Sequence, residues 1–98
     1  MRLDKFLQVS GLIKRRVLAN EACKRGLAKV NGQPAKPTRE IGPGDQVDLD
    51  LPHRDVAVRV LQELPEHGFP RARRAEFFET LRDVPRTVSR DDARDGWE

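Results

Sequence analysis

Residues 12–32 read LIKRRVLANEACKRGLAKVNG, a stretch that carries a helix end, a strand and a tight turn in succession. From about Ile13 to Arg25 strong helix formers dominate, and Gly26 falls where a glycine in the left-handed conformation closes a helix. Lys24 and Arg25 then lie in the last turn, against the negative end of the helix dipole. Ala19, Ala22 and Cys23 share one helical face, so this helix is expected to lie close against a neighbour. Leu27 and Lys29 alternate with Ala28 and Val30, and Asn31-Gly32 is the dipeptide that favours a two-residue hairpin turn.

Working outward, Leu3, Phe6 and Leu7 have the spacing of a short amphipathic helix that Ser10-Gly11 interrupts. Downstream, Pro34 and Pro37 keep the chain extended. Gly42-Pro43-Gly44-Asp45 reads as a turn into a strand where Val47, Leu49 and Leu51 alternate with Asp48 and Asp50. Val56, Val58 and Val60 mark a further strand, ended by Pro65 and Gly68. "PRARRAEFFETLRD", residues 70–83, reads as a third helix with Phe77, Phe78 and Leu81 as its apolar stripe, stopped by Pro85. The tail, residues 86–98, is expected to be disordered or weakly docked, with Trp97 unplaced. The expected class is α+β: two N-terminal helices packed on a small antiparallel sheet, plus a C-terminal helix. Residues 1–64 form the main unit and 65–98 the C-terminal helix and flexible charged tail.

A chain of 98 residues with 37% hydrophobic and 36% charged residues has room for one thin core, and a deep catalytic cleft would compete for the same apolar material. The expectation is a non-enzymatic protein without cofactor or metal. His53 and His67 have no catalytic partners nearby and read as surface residues; Asp48 and Asp50 read as the wet side of a half-buried strand. Cys23 is the sole cysteine, which leaves no internal disulfide and no zinc-ligand spacing, and its place on the small-residue stripe reads as burial. "GPGD" lacks the Lys-Ser/Thr of a phosphate loop. With no apolar leader and no run of about 18 apolar residues, a soluble cytoplasmic protein, without membrane association and monomeric, is expected.

Charge is distributed unevenly. Residues 1–36 hold nine Lys/Arg against two Asp/Glu, a net of +7, whereas residues 37–98 carry a net of −4. Such asymmetry points to a polyanion-binding face. If Lys14, Arg15 and Arg16 lie on one helix, its advance of about 100° per residue lets at most two of them face one ligand. Arg16 and one neighbour would then join Arg2 and Lys5 on a common rim, extended by Lys29 and Lys36. A cationic patch with few aromatics suits phosphates of a folded RNA better than splayed bases. Five to seven phosphate contacts would give a log–log salt slope of roughly −0.7 to −0.9 per contact.

The run "MRLDKFLQVSGLIKRRVLANEACKRGLAKVNGQPAKPTREIGPGDQV" resembles the S4-type (alpha-L) RNA-binding fold through "RLDKFL", "KRR", Gly26, "KVNG", "KPT" and "GPGDQV". With "RLDKFL" at the extreme N-terminus and "LIKRR" after it, the chain most resembles the RqcP family of ribosome-quality-control factors, relatives of the heat-shock protein 15 family. That resemblance implies binding to a large ribosomal subunit that still carries peptidyl-tRNA after a stalled ribosome has split. It also implies contacts to ribosomal RNA and P-site tRNA, and support of alanine tailing by an RqcH-like factor on the same particle. Arg2, Asp4, Lys5, Lys14, Arg15 and Arg16 match the motif, with Asp4 expected to orient an arginine. Gly11 stands where relatives often have arginine, and the segment beyond Leu64 is longer and more acidic than the resemblance accounts for. Three alternatives remain open here: a heat-shock-protein-15-like recycling factor, a detached RNA-binding module of a modifying enzyme, and a protein adaptor working through Phe77, Phe78 and Leu81.

Overall fold

The computed structural model describes residues 1–85, so the expectations for the tail and for Trp97 lie outside the described residues. Helix α1 spans Leu3–Val9 and buries Leu3, Phe6 and Leu7, as the spacing predicts. No side chain caps its N-terminus. The Leu3 and Asp4 N–H groups instead donate to the Arg39 and Pro37 carbonyls at 2.8 and 3.1 Å. The terminal ammonium meets the Glu40 carboxylate at 3.0 Å, and the Ile41 N–H bonds back to the Met1 carbonyl at 2.9 Å. The extended segment 37–41 therefore satisfies helix donors that a capping side chain would normally take. It also holds Arg2 and Asp4 in place.

Helix α2 spans Arg16–Lys24, three residues shorter at its start than the sequence suggests. Ile13 is fully buried and its N–H bonds to the Leu7 carbonyl at 3.1 Å, so this residue closes α1 rather than opening α2. Gly11 turns the chain at φ +82°, and Arg15 is extended at φ −115°, ψ 135°. Driving Leu12 and Ile13 into the core consumes the first predicted turn. The 100° restriction consequently does not apply to Lys14 and Arg15, which stand on the connection. The helix end follows expectation: Gly26 has φ +75°, its N–H reaches the Cys23 carbonyl at 3.1 Å, and the Leu27 N–H reaches that of Ala22 at 2.9 Å. That pair of bonds is a Schellman closure.

Strands β1 (Ala28–Val30), β2 (Gln33–Pro34), β3 (Gln46–Leu51), β4 (Arg54–Val60) and β5 (Phe78–Pro85) form an antiparallel sheet in the order β2-β1-β3-β4-β5. Asn31 and Gly32, both with positive φ (53° and 86°), make the tight turn between β1 and β2. Pro34 is tolerated because β2 is an edge strand. Ala28, Val30, Val47, Leu49, Val56, Val58 and Val60 face the helices and join Leu3, Phe6, Leu7, Ile13, Ala19, Ala22 and Cys23 in one core.

The third helix is the main departure. Only a 3-10 turn, Arg71–Arg73, and a single α turn, α3 (Arg74–Phe77), form; Phe78–Pro85 is β5, paired along the whole of β4 with one bulge beside Ala57/Val58. Short apolar runs read as helix or strand with nearly equal ease, and the open edge of β4 decides between them by offering a ladder of unpaired N–H and C=O groups. Phe77 and Phe78 are buried, Phe78 edge-to-face on Phe6 at 5.6 Å and Phe77 stacked on Phe69 at 4.6 Å. Leu81 is 42% exposed. The expected apolar helix face thus does not exist as an adaptor surface, because its two aromatics close the core. Gly68 permits that closure: its φ is +88°, and a Cβ there would lie 3.0 Å from a Val9 methyl.

Candidate nucleic-acid interface

Asp4 sits at the centre of the basic N-terminal face. Only 3% of its side chain is exposed, yet it is a carboxylate in the first turn of α1, where the helix dipole favours negative charge. Its Oδ2 accepts from Arg2 Nη2 at 3.0 Å and from Asn20 Nδ2 at 3.5 Å, and its Oδ1 accepts from the Lys5 N–H at 2.7 Å. Arg16 Nη2 stands 3.6 Å from Oδ1. The two guanidinium groups remain about half exposed, 43% and 47%, so one buried anion anchors two cations that still face solvent. The effect is geometric, since two flexible side chains are held on one rim.

Arg2, Asp4, Arg16, Asn20 and Lys24 line an open depression of about 430 Å³ together with the exposed Val17. Its second acid, Glu21, is engaged by Arg25 at 3.5 Å. Lys24 also lines the adjoining depression with Lys36 and Pro37, so Arg2, Arg16, Lys24 and Lys36 form a continuous strip. Sequence reasoning assigned Lys24 only to closing its helix. The missed signal is the four-residue recurrence of Arg16, Asn20 and Lys24, which places polar donors on one side of α2.

The remaining expected residues are distributed differently. Lys5 and Lys14 line a separate depression of about 540 Å³ together with Arg71. Arg15 is exposed at the N-cap of α2. Lys29 projects from the face of β1 opposite the core, cross-strand from Asp48. That outer face is balanced in charge: Arg82 reaches Asp55 and Asp48 at 2.9 and 3.7 Å, and Arg59 meets Glu79 at 3.5 Å. On the other face, at the end of the sheet, Arg54 makes a two-pronged contact with Asp83 at 2.8 Å. The Asp83 carboxyl is held below, and the Arg54 guanidinium above, their ordinary values by the mutual hydrogen bonds.

Cys23 is 4% exposed on the stripe that packs α2 inward. Burial, reinforced by the Asp4 charge, pushes its thiol up to about 11 from 9.0. The thiolate is the reactive form. At pH 8 iodoacetamide is therefore expected to modify native Cys23 about a hundredfold more slowly than the urea-unfolded chain, which mass spectrometry of timed samples would measure. Equal rates would show that α2 does not stay packed. Among the described residues no cluster of three or more His, Cys, Asp or Glu could hold a metal ion, and no helix is long and apolar enough to cross a membrane.

Comparison with known proteins bears on this geometry. Residues 1–47 match the family described as the S4 domain. The RQC P-site tRNA stabilizing factor of Bacillus subtilis is 47% identical over 60 residues, covering 61% of this chain and 70% of the relative. That of Listeria innocua is 34% identical over 90 residues, covering 92% and 96%. The chain belongs to the family of RQC P-site tRNA stabilizing factors. The solved trimeric structure of Vibrio cholerae heat shock protein 15 superimposes with a TM-score of 0.72 at 25% identity, covering 83% of this chain and 81% of the other. The S4-domain match and this superposition agree with the α+β architecture.

Proposed function

We propose that this chain is a non-enzymatic RNA-binding factor of ribosome-associated quality control. It binds the large ribosomal subunit after a stalled ribosome has split, contacts ribosomal RNA and P-site peptidyl-tRNA, and supports alanine tailing by an RqcH-like factor in the cytoplasm. The observation that carries this reading is the Arg2–Asp4–Arg16 cluster. A buried carboxylate presenting two half-exposed guanidinium groups suits the bidentate recognition of phosphate oxygens, which fixes register on RNA without reading bases. The relatives' designation as P-site tRNA stabilizing factors supports the P-site assignment. It favours this reading over a heat-shock-protein-15-like recycling role, for which the similarity is lower. Within the reading, Arg2, Lys5, Lys14, Arg15, Arg16, Lys29 and Lys36 contact RNA and Asp4 orients arginines.

Sedimentation of the protein with separated ribosomal subunits at graded salt tests it. Selective co-migration with the large subunit is expected, weakened severalfold by Arg16→Ala or Arg2→Ala, with a slope that falls by roughly 0.7 to 0.9 per lost contact. Unchanged co-migration of both variants would overturn the assignment of this rim.

A further inference from the structure

On the side of α1 where Lys5 and Gln8 emerge, the chain builds a second cationic depression that the sequence does not announce. Lys5, Gln8, Lys14, His67 and Arg71 line it, and none of its lining residues is a carboxylate. Beside it lies Gly11. A Cβ built on that glycine would stand 3.6 Å from Arg74 Nη1 and 4.0 Å from Arg71 Nε, so both guanidinium groups converge on the same small region of backbone. Neither has an ion pair among the described residues. Their neighbour Arg73 behaves otherwise: Glu76 holds it at 2.9 Å, and it lies over the Phe77 ring at 5.9 Å. The 3-10 turn and the start of α3 therefore commit one arginine to the protein and leave Arg71 and Arg74 beside the Gly11 turn that follows α1. Lys5 is held at the same place by a hydrogen bond from its ammonium to the Glu66 carbonyl.

Bringing like charges together without an acid between them is unfavourable, and an anion shared by the group reverses the sign of that term. We propose that Lys5, Lys14, Arg71 and Arg74 form a second phosphate-backbone site for folded RNA, in which the 3-10 turn and α3 supply cations to a surface begun by α1. This deepens the RNA-binding reading above and rests on it. Its consequence is a footprint with two anchor points, the Arg2–Asp4–Arg16 rim and this site. Gln8 and His67 supply hydrogen-bonding groups at its wall.

The test uses the full chain and purified large ribosomal subunits at graded salt. The double variant Arg71→Gln/Arg74→Gln is expected to bind about fivefold more weakly, with the log–log salt slope reduced by roughly 1.4 to 1.8, the value for two lost contacts. Arg73→Gln, which removes one arginine charge between those two positions, is expected to leave the slope within about 0.3 of wild type. Circular dichroism melts establish that each variant is folded. Wild-type affinity and slope in the folded double variant overturn the site. So does loss of binding to a poly-glutamate peptide with RNA binding intact, which would assign these cations to an acidic protein segment. If the double variant behaves as wild type while Arg16→Ala weakens binding, only this inference fails. Failure of the wild-type chain to bind any subunit removes the underlying reading as well.

Discussion

Asp4→Asn is expected to weaken large-subunit binding about tenfold, although it raises the net charge of the protein by one. The direction is informative. If affinity for RNA followed total charge alone, deleting an acid beside two arginines would strengthen binding and steepen its salt dependence. In the structure Asp4 is the group that Arg2 and Arg16 share, at 3.0 and 3.6 Å, and it fixes the half-exposed ends of both side chains. Immobilising a rotamer-rich side chain on binding costs about 0.5–1.5 kcal/mol, so releasing two arginines removes preorganisation worth about a tenfold change in affinity. Asparagine keeps the volume and one carbonyl oxygen, which preserves the acceptor for the Lys5 N–H at the start of α1. Equilibrium sedimentation at several salt concentrations, with thermal melts to confirm folding, measures the effect. Tighter binding would show that Asp4 only dilutes the positive field.

Phe6→Ala is expected to cost about 3–5 kcal/mol, a large part of the 5–15 kcal/mol typical of a small domain, and to lower the melting midpoint by more than about 10 °C. Phe6 is fully buried, and its ring meets Phe78 edge-to-face at 5.6 Å with an interplanar angle of 79°. This contact joins the first helix to the last strand. A double-mutant cycle with Phe78→Leu, read by urea denaturation, is expected to give a coupling of about 0.5–1.5 kcal/mol between the rings. Additive effects would mean that β5 is not packed on α1 in solution. The consequence extends to function, because the same closure brings the 3-10 turn and its arginines beside Gly11.

Much of the basic rim was legible because its members are adjacent in sequence or spaced by helical turns. Arg2 and Asp4 lie at the start of α1, and Arg16 opens α2. Lys24 was legible too, by its spacing from Arg16, but its position in a last turn offered a sufficient local explanation. Arg71 and Arg74 were not legible. Their approach to Gly11 depends on where a turn 60 residues later in the chain comes to rest, and no local pattern encodes that.

The sequence by itself determined the local elements whose causes are local. Gly26 ends α2 because only glycine readily takes its φ of +75° there, Asn31-Gly32 reverses the chain because both residues accept positive φ, and the alternation in β3 follows from one wet face and one dry one. Tertiary structure decided the rest. Ile13 left its predicted helix because the core needed its side chain, α1 received its cap from Pro37 and Arg39, and Phe78–Pro85 became a strand because β4 had an edge to satisfy. In each case a buried surface or an unpaired backbone group outweighed a propensity worth at most about 1 kcal/mol per residue.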